Sequence, residues 1–256
     1  MTCFHLANPC LPRNISVGLQ KVRKKRRTDL MQLKVVFSNK YTSCERIFLV
    51  TLLRTFLLPQ ARARKCYQGT FKKSVLANQF PDLKIDLKNL TDLLFDCRVF
   101  CAGSDENNVL KNESGQFFIR LSEQAHERIR ITMDPLILLR LYALSDIALQ
   151  HLFNEIYAPR SKYTRIALNL LNVPTGTEFF SSGDIQNQFA LSTTAAWKSF
   201  VHRTDYLQQH LLDTGLFDRL NITIDYRKAP GKPVESIQIA WSYKKIPQAV
   251  PCTFEI

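Results

Sequence analysis

The stretch SGDIQNQFALSTTAAWKSFVHRTDYLQQHLLDTGLFDRLNITIDYRKAPGKPVESIQIAW, residues 182–241, decides the fold class. Ser182-Gly183-Asp184 caps a brief helix over Ile185 to Phe189, and Leu191-Ser192-Thr193-Thr194 is a turn that offers a capping hydroxyl to the helix beyond it. A long helix is expected from Ala195 to Leu212, because Trp197, Phe200, Thr204, Leu207 and Leu211 recur every three or four residues on one side. Short helix, turn and long helix make a helix-turn-helix. After Gly215, Asn221 to Tyr226 and Ser236 to Trp241 read as strands, with Ile222 and Ile224 alternating on one and Ile237, Ile239 and Trp241 on the other. The turn between them, Arg227-Lys228-Ala229-Pro230-Gly231-Lys232-Pro233, is loaded with cations. A hairpin with a basic tip, directly after a helix-turn-helix, reads as a wing.

Upstream, Ser161 to Leu171 is a helix with Tyr163, Ile166, Ala167, Leu170 and Leu171 on one face, closed by Val173-Pro174, and Glu178 to Phe180 is a short strand. The first half of the chain follows similar logic. Leu33, Val35 and Phe37 alternate as in a strand, and Ser43 opens a helix carrying Ile47, Phe48, Val50, Leu52 and Leu53 as far as Pro59. Asp86 starts a helix with Leu87, Leu90, Leu93 and Leu94 at helical spacing, followed by strand formers from Arg98 to Ala102. Gly103 to Gly115, rich in Asn, Ser and Glu, reads as a long polar loop before strands at Gln116 to Leu121 and Arg128 to Thr132. Asp134-Pro135 begins two connecting helices, Leu136 to Leu144 and Ser145 to Tyr157, that end at Pro159. The expected fold class is α+β: two tandem winged-helix domains with a basic N-terminal arm. Residues 1–29 are the arm, 30–145 the first domain, 146–246 the second and 247–256 a tail.

Charge divides the chain unequally. Residues 1–73 hold 16 Lys and Arg against 2 acids, or +14; residues 74–256 hold 19 against 20, or −1, within a total of +13. The run Lys21, Arg23, Lys24, Lys25, Arg26, Arg27 marks a basic arm suited to a polyanion: nucleic acid, ribosomal RNA or an anionic membrane surface. Eight glycines without a phosphate-cradling pattern argue against a dinucleotide or P-loop site. No apolar run reaches the roughly 18–20 residues that span a bilayer, and Met1 to Gln20 has no secretory apolar core, so no membrane partner and a cytoplasmic location are expected. Seven cysteines, Cys3, Cys10, Cys44, Cys66, Cys97, Cys101 and Cys252, are odd in number and irregularly spaced, as reduced thiols are. Cys97 and Cys101 are close, but their nearest histidine is His126, so no metal and no cofactor are expected.

With a packed back, the expected long helix presents Lys198, His202 and Arg203 in front, and Thr193 and Thr194 at an amino end where backbone NH groups can meet a phosphate. Arg203 is the first candidate for base reading, since Arg donates two hydrogen bonds to guanine. Lys198 suits a base or a phosphate equally. At the wing tip, Arg227, Lys228 and Lys232 are placed to lie along the backbone or in the minor groove. Trp197 and Trp241 read as core rather than as base-stacking platforms.

From Ala196-Trp197-Lys198-Ser199-Phe200 through Asn221-Ile222-Thr223-Ile224-Asp225-Tyr226 to Gly231-Lys232-Pro233-Val234-Glu235-Ser236-Ile237-Gln238-Ile239, the chain resembles the carboxy-terminal winged helix of plasmid replication initiators that bind iterons. That family has an aromatic-bearing recognition helix, an alternating strand and a Gly-Arg/Lys-x-Val turn, here Gly231-Lys232-Pro233-Val234. The helices at Ser161 to Leu171 and Asp184 to Phe189 fall where the family has the first two of this domain. The likeness covers about 161–241; over 30–157 it is one of architecture. The family's recognition helix is usually more basic than this one, which has Thr204 and Asp205. The resemblance implies a dimerising, DNA-contacting first domain, binding of double-stranded DNA repeats at a plasmid origin, self-association, duplex opening and recruitment of the host replicative helicase, with no active site.

A transcriptional regulator or autorepressor would share the helix-turn-helix. A DNA-processing nuclease would need clustered carboxylates or a tyrosine beside paired histidines. Asp82, Asp86, Asp92 and Asp96 have helical spacings but read as a solvated face, and His202 and His210 are eight apart, so no enzyme is expected.

Overall fold

The computed structural model describes residues 32–37, 41–104, 110–159, 161–226 and 234–255. The arm at 1–29 and the hairpin tip at 227–233 lie outside them. In chain order the elements begin with β1 (Gln32–Phe37), α1 (Ser43–Phe56), α2 (Pro59–Arg64), β2 (Gln68–Lys72), α3 (Lys73–Gln79), α4 (Leu87–Asp96), β3 (Cys97–Ser104), β4 (Leu110–Gln116), β5 (Phe118–Gln124) and β6 (Arg128–Met133). There follow α5 (Pro135–Ala143), α6 (Asp146–Tyr157), α7 (Lys162–Leu170), β7 (Thr175–Ser181), α8 (Ser182–Gln188), α9 (Thr194–Val201), α10 (Thr204–Leu212), β8 (Phe217–Tyr226), β9 (Val234–Tyr243) and β10 (Thr253–Glu255). The fold is α+β, with antiparallel pairing in each sheet.

With α2 and the strands β3 and β4 set aside, one element order occurs twice. In the first half α1, β2, α3, α4, β5 and β6 run helix, strand, helix, helix, strand, strand, with the last strand between the other two in the sheet β10-β2-β6-β5. In the second half α7, β7, α8, the pair α9 and α10, β8 and β9 follow that order, and the sheet is again β7-β9-β8 with the last strand central. The first half also carries a third sheet, β1-β3-β4. Here the expected polar loop at Gly103 to Gly115 is corrected, because its part from Leu110 is strand β4, paired with β3 from Arg98↔Gln116 to Ser104↔Leu110. Cross-strand pairing holds β4 although its sequence, LKNESGQ, has no alternating apolar residues.

Helix starts follow their caps. Thr42 and Glu45 form a reciprocal capping box at α1, Asp86 accepts from Asn89 N, Asp134 accepts from Leu136 N and Ile137 N ahead of Pro135, and Ser181 with Asp184 boxes α8. Helix α1 is the structural centre: Phe48, Leu49, Val50, Leu52, Leu53 and Phe56 are fully buried. At about 1.5–3 kcal/mol for burying each such side chain, this helix dominates the core. Phe56 meets the rings of Phe71, Phe118 and Phe254 at centroid distances of 6.3, 6.3 and 5.9 Å. The cluster of buried residues runs without a break from α1 through Leu152, Phe153 and Ile156 of α6 to Ala167 and Leu168 of α7 and the second half.

The segment read from sequence as a tail is built into this core. Thr51, on α1, donates from Oγ1 to the Pro247 carbonyl (3.1 Å), Thr55 Oγ1 accepts from Val250 N (2.9 Å), and Val250 is 2% exposed. Beyond it, β10 pairs with β2, Thr253 opposite Thr70 and Glu255 opposite Gln68. The end of the described chain is thus a strap from the second half to the first.

In the second half, Trp241 lies across β7. A Cβ at Gly176 would sit 2.7 Å from the indole ring, so this close approach requires glycine, and the indole NH donates to the Val173 carbonyl (2.9 Å). Trp241 is 3% exposed, a core residue as expected.

Candidate nucleic-acid interface

The expected long helix from Ala195 to Leu212 is two helices. Helix α9 ends at Val201, α10 begins at Thr204, and His202 and Arg203 form the joint. Arg203 N bonds back three residues to the Phe200 carbonyl (2.9 Å), and the Thr204 hydroxyl donates to the Val201 carbonyl (3.1 Å). A hydroxyl that takes a main-chain acceptor competes with the helical ladder, and a β-branched Val201 beside it weakens helix preference further. Phe200, Thr204, Leu207 and Leu211 nevertheless remain on the buried side, as their spacing predicts.

Helix α9 is oriented by aromatic packing. Phe200, 6% exposed, has the Phe189 ring at 4.8 Å, Tyr163 edge-on at 5.7 Å and Trp197 stacked at 6.1 Å. Behind α10, Gln208 accepts from the Ile222 backbone NH (2.7 Å), which satisfies a donor on edge strand β8 and fixes the hairpin against the helix.

The structure brings five of the eight candidate residues together. Thr193 is the N-cap of α9, its Oγ1 accepting from Ala196 N (3.1 Å), so the hydroxyl retains its proton for a donor role. Thr194, Lys198 and His202 follow at successive four-residue steps and are exposed. Such spacing puts them on one helix face. Arg203 is also exposed, but at the joint rather than in mid-helix, where it serves as the N-cap residue of α10. Arg227, Lys228 and Lys232 lie outside the described residues; the hairpin that leads to them is described to Tyr226 and from Val234, and its last rungs include a Ser236 Oγ to Asp225 Oδ2 hydrogen bond of 3.1 Å.

The sequence reading missed a groove of about 460 Å³ beside the joint, lined by Ser161 and Tyr163 at the start of α7, Ser199 on α9, and Arg203, Tyr206 and His210. Tyr206 is 67% exposed. The available signal was the pair Tyr206 and His210, four residues apart and off the Leu207–Leu211 stripe. Among the described residues no three His, Cys, Asp or Glu side chains gather as metal ligands, and no helix is long and apolar enough to cross a membrane.

No protein-family model matches the sequence, and no curated protein matches it. Solved structures do. Domains 2 and 3 of RctB are similar to it over 86% of this chain and 92% of theirs, with 10% identity and a TM-score of 0.36. A second structure of RctB domains 2–3 covers 86% of this chain and 93% of its own (9% identity, TM-score 0.32). The Pi initiator protein in complex with iteron DNA matches over 83% of this chain and 98% of its own, with 8% identity and a TM-score of 0.31.

Proposed function

We propose that the chain is a replication initiator: two winged-helix domains, 30–145 and 146–246, that bind repeated double-stranded sites at a plasmid origin, promote duplex opening and recruit the host helicase. It acts in the cytoplasm without a catalytic centre or cofactor, and it self-associates on repeats. The observation that carries this reading is the second half's exposed polar face, Thr194, Lys198, His202 and Arg203, presented between an N-capped helix start and a two-stranded hairpin. A helix set off by a tight turn, with a packed back and donor side chains in front, is the geometry that enters a major groove. The repeated strand order supports a domain of the same kind in the first half. The local resemblance over 161–241 supports iteron-like repeats as the target.

Base reading is assigned to Arg203, phosphate positioning to Lys198 and the α9 amino end with Thr193 and Thr194, an auxiliary contact to His202, and backbone or minor-groove contact to Arg227, Lys228 and Lys232. Gel shifts on the origin beside the protein's own gene test this. Stepwise complexes matching the number of repeats are expected, and Arg203→Ala is expected to weaken origin binding by about 1–3 kcal/mol, roughly 5- to 150-fold, with little change on random duplex. Equal loss on both duplexes, or binding to RNA alone, would refute the assignment.

A further inference from the structure

Where α6 meets α7 there is a polar cleft of about 200 Å³, lined by His151, Asn154 and Glu155 on one helix and Lys162, Arg165 and Asn169 on the other. Spacings of three and four residues put each set on one helix face. The uncharged groups of the cleft satisfy one another in a chain: Gln150 Nε2 donates to Asn154 Oδ1 (3.0 Å), Asn154 Nδ2 to Asn169 Oδ1 (2.7 Å), and Asn169 Nδ2 to His151 Nδ1 (3.2 Å). An amide nitrogen only donates, so a neutral His151 ring accepts at Nδ1 and carries its proton on Nε2.

The charged groups do not satisfy one another. Glu155 Oε2 is buried and has no hydrogen-bond partner among the described residues, although a carboxylate oxygen left so is costly. Two cations line the same cleft without reaching it. Arg165 donates from Nη1 to the Ala158 and Pro159 carbonyls (3.4 and 3.0 Å) at the end of α6, and Lys162 is exposed with no ion pair among the described residues. An acid and a base that face one cavity and do not meet suit a molecule that carries both complementary charges. A plain cation would satisfy Glu155 but meet Lys162 and Arg165; a plain anion would satisfy Lys162 but meet Glu155. The volume lies below the roughly 300–1,000 Å³ of sites for drug-sized ligands, so the occupant is a small solute.

We infer that this cleft binds a free α-amino acid, whose ammonium donates to Glu155 Oε2 and whose carboxylate accepts from Lys162 Nζ. Helix α6 also enters the core shared with α1 through Leu152, Phe153 and Ile156, so a solute that ties α6 to α7 stiffens the link between the two halves. The site is independent of the DNA reading.

The test is urea denaturation of the full chain in millimolar amounts of each protein amino acid, followed by titration calorimetry with those that act. A ligand held by the folded state alone raises the midpoint as its concentration rises. At least one amino acid is expected to do so, while methylamine and acetate, which carry one charge each, do not. Glu155→Gln keeps the shape and removes the charge; affinity is expected to fall by about tenfold or more, while the midpoint without ligand holds or rises because no partner is lost. Lys162→Met, at an exposed position, is expected to weaken binding without moving that midpoint. No effect of any amino acid on the wild-type midpoint overturns the site, as does affinity unchanged in both variants. Methylamine or acetate acting as strongly as the amino acid overturns the dipolar ligand in favour of a plain cation or anion. A lower ligand-free midpoint in Glu155→Gln with affinity retained assigns the carboxylate to the fold and likewise overturns the proposal.

Discussion

Replacing Phe200 by Ala tests whether aromatic packing, rather than helix preference, aims the candidate interface. The ring is 6% exposed and touches Phe189, Tyr163 and Trp197 at 4.8, 5.7 and 6.1 Å. Truncating a buried Phe to Ala costs about 3–5 kcal/mol, and three aromatic neighbours at about 0.5–1.5 kcal/mol each account for much of it. With a urea slope of about 2.5 kcal/mol per molar, the midpoint should fall by about 1.5 M. Phe200→Leu fills most of the cavity and should lose less than half of that. Because Lys198 shares α9 with this ring and His202 caps its end, Phe200→Ala should also lower binding to origin repeats more than binding to random duplex, measured by fluorescence anisotropy where the variant is folded. A midpoint shift under about 0.3 M, against the 1.5 M implied by the burial term, would show that α9 is held by something other than this cluster.

Thr193→Ala removes the hydroxyl that accepts from Ala196 N, and a loss of about 1 kcal/mol is expected in urea denaturation, with Thr193→Ser restoring it. At Tyr142, whose phenol donates to the Phe56 carbonyl (3.0 Å), burial pushes the pKa up to about 12, the neighbouring Cys66 adds to the rise and the Arg62 guanidinium opposes it. The folded protein holds this phenol neutral while the unfolded chain ionises near pH 10, so its contribution is full below about pH 10 and is lost as pH rises toward about 12. Tyr142→Phe should therefore flatten the alkaline decline of the urea midpoint, at a cost near neutrality of about 1 kcal/mol for the missing hydrogen bond.

Where local chemistry decides an element, the sequence was readable. Ser161, Asp86 and Asp134-Pro135 mark helix starts because their side chains satisfy the first backbone NH groups, and Ile237, Ile239 and Trp241 mark β9 because one sheet face is buried. Elements made by pairing were not. β4 is a polar strand that exists through its partner β3, and β10 is three residues long and exists through β2. The joint at His202 and Arg203 was hidden for another reason: apolar spacing from Trp197 to Leu211 continues across it, since α9 and α10 press on one core, and the break lies in a hydroxyl-to-carbonyl bond that periodicity does not register. The exposed positions of Thr193, Thr194, Lys198, His202 and Arg203 followed from helical phase. The groove with Tyr163, Tyr206 and His210 did not, because it depends on how α7 meets α9 and α10.

The strap at 247–255 has a consequence for how the molecule comes apart. Thr55 and Val250 are joined across 195 positions, and β2 gains its second sheet neighbour from β10, the last described strand in the chain. Long-range closures of this kind cost chain entropy that is repaid when both ends are folded, so the halves should melt in one transition instead of two. Both tryptophans, Trp197 and Trp241, sit in the second half. Their emission nevertheless becomes a gauge of the first half, and cutting the chain before Pro247 would disconnect the gauge from what it reads.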